Sequence, residues 1–154
     1  AAAKPDPVIG ALARIHARAV VHGHCHHKSV LGYGAEQKLL DAMGLEIAEP
    51  EPGCCGLAGS FGYEAEHYAI SMAIGERTLL PAVRAEQSST LVIADGFSCR
   101  EQLQHGTGRY AYHVAEVLAA ALAEIYESGD PTPRTDEPRE PAASDRDPVR
   151  ADST

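Results

Sequence analysis

Short apolar runs alternate along the chain with longer stretches in which apolar positions recur every three or four residues. "AVVHGH" (19–24), "LEIAEP" (45–50) and "TLVIADG" (90–96) are brief, favour extended backbone and end in Gly, Pro or a polar residue, so they predict three strands. "AEQKLLDAM" (35–43) and "YEAEHYAISMAIGERTLL" (63–80) predict helices, the second stopping where Pro81 would disturb it. A last helix is predicted over 109–127, where Val114, Val117, Leu118, Ala121, Leu122 and Ile125 fall on one face at i, i+3, i+4, i+7 spacing.

Strands separated by helices pair in parallel through crossovers, which predicts an α/β fold, a small parallel sheet flanked by helices. In such sheets sites form in the loops beyond the carboxyl ends of the strands. Cys25 follows the first predicted strand, Cys54 and Cys55 the second, and Cys99 the third. The pattern therefore sends all four cysteines to one edge of the sheet.

Composition bounds the rest. At 154 residues and 44% apolar content the chain fits one domain with a real core. From Ser128 onward five of the ten prolines crowd into a segment almost without large apolar residues, which predicts a folded domain over 1–127 and a disordered, acidic, Pro-rich tail over 128–154. A formal charge of -9, with 13 Lys and Arg and none in a run, argues against a nucleic-acid surface. No apolar stretch reaches the roughly 18 to 20 residues of a membrane span, and no signal peptide opens the chain, so a soluble, cytoplasmic protein is expected. The first residues, "AAAKPDPVIG", lack a Met, and a C-terminal fragment of a longer protein is expected.

Four cysteines are too sparse for a disulfide scaffold, which leaves metal or redox chemistry as their better use. Thiolates suit zinc and iron-sulfur clusters, and adjacent Cys54 and Cys55 in a Gly-flanked loop fit poorly with inert buried thiols; a redox dithiol is the remaining reading. Around Cys25 stand His22, His24, His26 and His27. On an extended segment alternate residues face opposite ways, so His24 and His26 are not expected to join Cys25 together, and His26 is expected as a hydrogen-bond donor behind the ligands. In "GLAGSFG", Gly56, Gly59 and Gly62 would let backbone N–H groups approach cluster sulfurs, the competing use being a phosphate cradle. Thr107, Arg109 and His113 stand at a predicted helix start, as a cap or as cofactor contacts. Glu64 and Glu66 read as a solvated helix face. No carboxylate dyad, no Ser-His-Asp set and no G-x-G-x-x-G fingerprint is legible.

"EPGCCGLAGSFGYE" resembles the CCG-type cysteine-rich domain of heterodisulfide reductase B subunits, of the glycolate oxidase iron-sulfur subunit and of the C-terminal end of large FAD-linked oxidases. The likeness to the last group extends to "HGHCHHKSVLG", "IGERTLLPAVR", "VIADGFSCREQ" and "TGRYAYHVAEVL", from about residue 20 to 122. Such oxidases resemble D-lactate and D-2-hydroxyglutarate dehydrogenases. The resemblance implies that Cys25, Cys54, Cys55 and Cys99 ligate an iron-sulfur cluster, 4Fe-4S in type, in a terminal electron-transfer domain. It places FAD in an upstream part, with flavin and ferredoxin-like domains as partners and an electron acceptor downstream. Members with five-thiolate clusters carry C-x-x-C, whereas Gly96 and Gln102 stand three residues either side of Cys99, which implies a four-thiolate or His-completed site. Two alternatives remain: a zinc-binding docking domain of the same assembly, and a thiol-disulfide reductase using Cys54 and Cys55.

Deleting residues 128–154 is expected to leave the melting midpoint unchanged, because that segment offers no apolar anchor. Thermal melts of the full and shortened chains check this, a clear drop on deletion being the contrary result.

Overall fold

The computed structural model describes residues 15–128, with side chains through residue 123. Apart from Ser128, which ends the last helix, the expected tail lies outside the described residues, as does the segment before residue 15.

Three strands, β1 (Arg18–His22), β2 (Glu46–Ala48) and β3 (Leu91–Ala94), form one sheet in the order β2-β1-β3. Both pairings are parallel, with Val20 opposite Ala48 on one side and Val92 on the other. Among the described residues six α-helices connect and cover them: α1 (Cys25–Val30), α2 (Gly34–Ala42), α3 (Tyr68–Gly75), α4 (Leu79–Ala85), α5 (Phe97–Thr107) and α6 (Val114–Ser128). The expected small parallel sheet flanked by helices is what the chain forms.

Side-chain alternation along the strands divides the core. Val20, Val92 and Ala94 face Leu79, Leu80 and Val83 of α4, Leu103 of α5, and Leu57, while Ala19, Val21 and Ile93 face Leu40 and Met43 beside α2 and Val117 and Ala121 of α6. Both faces are dry, as parallel sheets require. Cys55 and Cys99 belong to the first of these clusters, so the sheet face that anchors the fold also carries two of the thiols.

Two helical expectations are corrected. The helix expected over 63–80 is divided: a 3-10 turn (Phe61–Tyr63) precedes α3, and α4 begins only at Leu79. Pro81 sits in the first turn of α4, where an N–H has no intrahelical acceptor, so it is accommodated instead of ending a helix. The last helix begins at Val114, not at 109. His113 precedes it, its N–H donating to Glu116 Oε2 at 2.7 Å and its Nδ1 accepting from Ala115 N at 3.0 Å, a reciprocal arrangement of the capping-box kind. Thr107 instead closes α5, its hydroxyl donating to Leu103 O at 2.6 Å.

Among the described residues no helix is long and apolar enough to cross a membrane.

His22, the last residue of β1, is buried, and its Nε2 has no hydrogen-bond partner. Burial, reinforced by Lys28 and His24, pulls its pKa down to about 4. The folded value thus lies below the unfolded one near 6.5, so the neutral ring contributes stability that is fully present above 6.5 and lost as pH falls toward 4. His22→Leu is expected to flatten stability across that window. Denaturant melts at several pH values measure the slope, and an unaltered acid slope in the variant would contradict the assignment.

Candidate metal centre

Each strand hands its chain to a loop that turns sharply at the sheet edge, and glycines permit the turns. Beyond β1, His24 caps α1 and Cys25 is its first residue. Beyond β2, the chain passes through Gly53, where a Cβ would stand 2.3 Å from Thr78 Oγ1, and reaches Cys54 and Cys55. Gly56 follows with φ +95°, and a Cβ there would lie 2.0 Å from the Ser71 carbonyl oxygen, so only glycine fits. Beyond β3, Gly96 precedes α5, with Cys99 in the first helical turn.

The result is one cavity of about 270 Å³ lined by Cys25, Cys54, Cys55 and Cys99 together with His24, His26, Ala58, Gly59 and Ser98. All four cysteines are free thiols, graded in depth: Cys25 is exposed, Cys54 half-buried, Cys55 and Cys99 buried. The convergence expected from their common position after strands is therefore realised.

Backbone conformation around the paired cysteines is unusual. Gly56, Ala58 and Gly59 all have positive φ, at +95°, +46° and +71°. For Ala58 this left-handed geometry costs roughly 1–2 kcal/mol. Successive turns of this kind curl the chain so that N–H groups face inward as an anion-binding nest. The Gly56 N–H donates to Cys54 Sγ at 3.3 Å, and those of Leu57 and Ala58 point to Cys55.

The thiols perturb one another accordingly. Donation from Cys99, together with the Leu57 and Ala58 N–H groups and Cys54, outweighs burial and lowers the Cys55 pKa to about 6. Cys99 shifts the other way, held protonated by the bond to Cys55, by burial and by the charge of the other thiolates. Cys54 is raised mainly by burial, against the Gly56 N–H. Four convergent thiols, two of them buried, with N–H donors aimed at sulfur, form a donor set that fits a soft metal or a metal-sulfur cluster.

The histidine expectation is corrected. The segment turns helical at Cys25 instead of continuing extended, so His24 and His26 both line the cavity with Cys25, their ring centroids 6.5 Å apart. Of the glycines expected to serve the sulfurs, Gly56 and Gly59 stand at the site, whereas Gly62 packs on Ser71 and Leu57. Arg109 is committed elsewhere: its guanidinium donates to the carbonyls of Gln87 at 3.2 Å, Ser88 at 3.4 Å and Thr90, bracing the loop that enters β3 at the opposite end. Gln102, three residues beyond Cys99, is buried and donates to Ser71 O and Oγ, both at 3.2 Å.

Sequence reading missed a carboxylate pair. Glu36 and Asp95 meet at the same sheet edge, grouped with His27 so that one ligand atom of each lies within 4.8 Å of the others. Asp95 follows β3 directly, a position that the strand-end argument covers, but nothing in the spacing linked it to Glu36 on α2. Glu64 and Glu66 are exposed, as expected for solvated groups, but both precede α3 and do not form a helix face, and Glu64 pairs with His67 at 3.0 Å.

No protein-family model matches the chain. It is 33% identical over 110 residues to a subunit of the anaerobic glycerol-3-phosphate dehydrogenase of Escherichia coli K12, covering 69% of this chain and 26% of that protein. It is 29% identical over 97 residues to the D-2-hydroxyglutarate dehydrogenase of Pseudomonas putida, covering 62% of this chain and 9% of the relative. The Escherichia coli K12 D-2-hydroxyglutarate dehydrogenase matches at 31% over 98 residues, 62% of this chain and 10% of its own length. The chain is thus homologous to a part of these dehydrogenase proteins, spanning about a quarter or less of each, and the resemblance expected from its cysteine segments is borne out.

A Cβ at Gly96 would stand 2.3 Å from the His24 ring and 2.9 Å from Cys99 Sγ. Gly96→Ala is therefore expected to push His24 and Cys99 apart and to lower metal loading several-fold with the fold retained, whereas Gln87→Ala, on the Arg109-braced loop, leaves loading unchanged. Metal content of purified variants, beside circular dichroism, checks this; full loading in Gly96→Ala would contradict it.

Proposed function

We propose that this chain is the iron-sulfur electron-transfer segment of an FAD-linked dehydrogenase, with Cys25, Cys54, Cys55 and Cys99 as the cluster ligands. The observation that carries the reading is the convergence of all four sulfurs on one cavity with backbone N–H groups turned toward two of them. The homology to dehydrogenases supports the redox class. The cavity of about 270 Å³ between the four thiols has room for a group larger than a single ion.

When bound, the cluster accepts and passes on single electrons. The protein's own part is to hold and tune it. Cys55 and Cys99, in the core, fix the inner side of the site and exclude water, while exposed Cys25 leaves the outer side open toward a donor or acceptor. The N–H groups of Gly56, Leu57 and Ala58 offset negative charge on sulfur, which raises the reduction potential. His26 stands at the rim as a further donor. Four thiolates suit a 4Fe-4S type. Gln102 is engaged with Ser71, so a fifth ligand beyond Cys99 does not come from that position.

In the whole protein, flavin and ferredoxin-like parts upstream would oxidise a D-2-hydroxy acid and deliver electrons here for an acceptor downstream. A reducing compartment such as the cytoplasm would keep the thiols free.

Anaerobic reconstitution tests the reading. Iron and acid-labile sulfide are expected in equal amounts, with broad visible absorption that bleaches on reduction. Cys54→Ser, Cys55→Ser and Cys99→Ser should each lose most of the iron, and His26→Ala should keep it while shifting the potential. A colourless protein with one tightly held zinc and no sulfide would replace relay by a docking role.

A further inference from the structure

Beside the cysteine cavity, on the other side of α1, lies a second group of potential ligands that the electron-relay reading does not use. His27 is two residues beyond Cys25, about 200° around the helix, so α1 presents one side to the sulfurs and the other to the carboxylates. There His27 Nδ1 stands 3.6 Å from Glu36 Oε2 and 3.9 Å from Asp95 Oδ2. These separations are too long for hydrogen bonds. They are close to the spacing of neighbouring ligands on one ion, since donors roughly 2.0–2.2 Å from a metal stand about 3.3 Å apart across a tetrahedral edge.

Two further observations point to a ligand between them. Glu36 is 8% exposed, and its Oε2, directed at His27, has no hydrogen-bond partner. The Tyr33 hydroxyl, on the same side, is also buried, with no partner in full hydrogen-bond geometry, and is held protonated by burial and by the neighbouring Glu36, Glu49 and Asp95. Orphaned buried oxygens are costly unless a ligand satisfies them. Asp95 meanwhile divides its labour. Its Oδ1 accepts the Val114 N–H at 3.2 Å and lies 3.7 Å from His113 Nε2, leaving Oδ2 turned to His27. Because His113 Nδ1 accepts from Ala115 N, the neutral ring carries its proton on Nε2, toward Asp95. A carboxylate held by a second hydrogen bond, here the Val114 N–H, is the usual arrangement in a metal ligand.

We propose that His27 Nδ1, Glu36 Oε2 and Asp95 Oδ2 bind a divalent first-row cation such as Mn²⁺, Fe²⁺ or Zn²⁺ in a site separate from the cysteines. One imidazole and two carboxylates suit these borderline and hard ions. His27 is one-third exposed, which provides the entry path. The Tyr33 hydroxyl is placed to hydrogen-bond a ligand oxygen or a bound water. The ion would tie α1, α2 and the end of β3 together, and so brace the helix that carries Cys25.

Manganese is the discriminating probe, because thiolate sites take it poorly. Mn²⁺ titration of the full chain, followed by electron paramagnetic resonance, is expected to give one bound ion per chain and a higher melting temperature on saturation. Glu36→Gln and Asp95→Asn should each weaken binding about tenfold or more. Cys54→Ser and the exposed control Glu64→Gln should leave it unchanged. Glu36→Gln is isosteric, so its metal-free melt serves as the folding control. Absence of Mn²⁺ uptake by the wild-type chain, or uptake retained in a folded Glu36→Gln, would overturn the site. Uptake lost in Cys54→Ser would assign the ion to the cysteines instead. Failure here leaves iron and sulfide analysis of the cysteine cavity unaffected.

Discussion

Parallel pairing of β1 with both neighbours is the constraint from which the rest of the molecule follows. A parallel strand cannot return by a hairpin, so each connection must cross a sheet face and every strand ends at the same edge. In a three-stranded sheet this leaves three connections leaving one edge, and the chain places a cysteine in the loop or the first helical turn of each. Had one strand run antiparallel, its cysteines would have emerged at the far end and no shared cavity would exist. The hydrophobic layers matter to the site for the same reason: Val20 and Val92 pack with Cys55 and Cys99 in one cluster, so the buried half of the site is continuous with the core.

Within that frame the loop after β2 departs most from ordinary backbone. Three positive-φ residues within four positions, one of them an alanine, are not what a connecting loop needs. They make sense as the cost of turning N–H groups onto Cys54 and Cys55, and the core offsets it by seating Leu57 and Gly56 against α3 and its neighbours. The same edge gathers acidic groups around His27. Soft sulfur donors and hard oxygen donors are therefore set side by side, separated by a single turn of helix.

Much of this is legible in the sequence where local pattern and tertiary demand agree. The three strands and α6 are built of apolar residues at the spacing that burial requires, and the strand-end rule locates all four cysteines. What escapes are elements that tertiary context creates. α5 is polar along most of its length and holds Gly106, yet Cys99, Gln102 and Leu103 are buried at i, i+3, i+4, and that contact with the core, not propensity, makes it helical. α1 is six residues, too short for periodicity to announce, and an extended segment in its place would turn His24 and His26 to the side opposite Cys25, whereas all three line the cavity. The meeting of Glu36 with Asp95 joins residues on α2 and at the end of β3, a contact no sequence spacing encodes.

X-ray absorption at the iron and zinc edges of the anaerobically purified chain tests the central claim most directly. An iron edge with a first shell dominated by sulfur and a second shell of iron scatterers is expected. Both shells should diminish together when Cys99 is replaced by serine. A zinc edge with a lone sulfur shell, or iron coordinated only by nitrogen and oxygen, would contradict it.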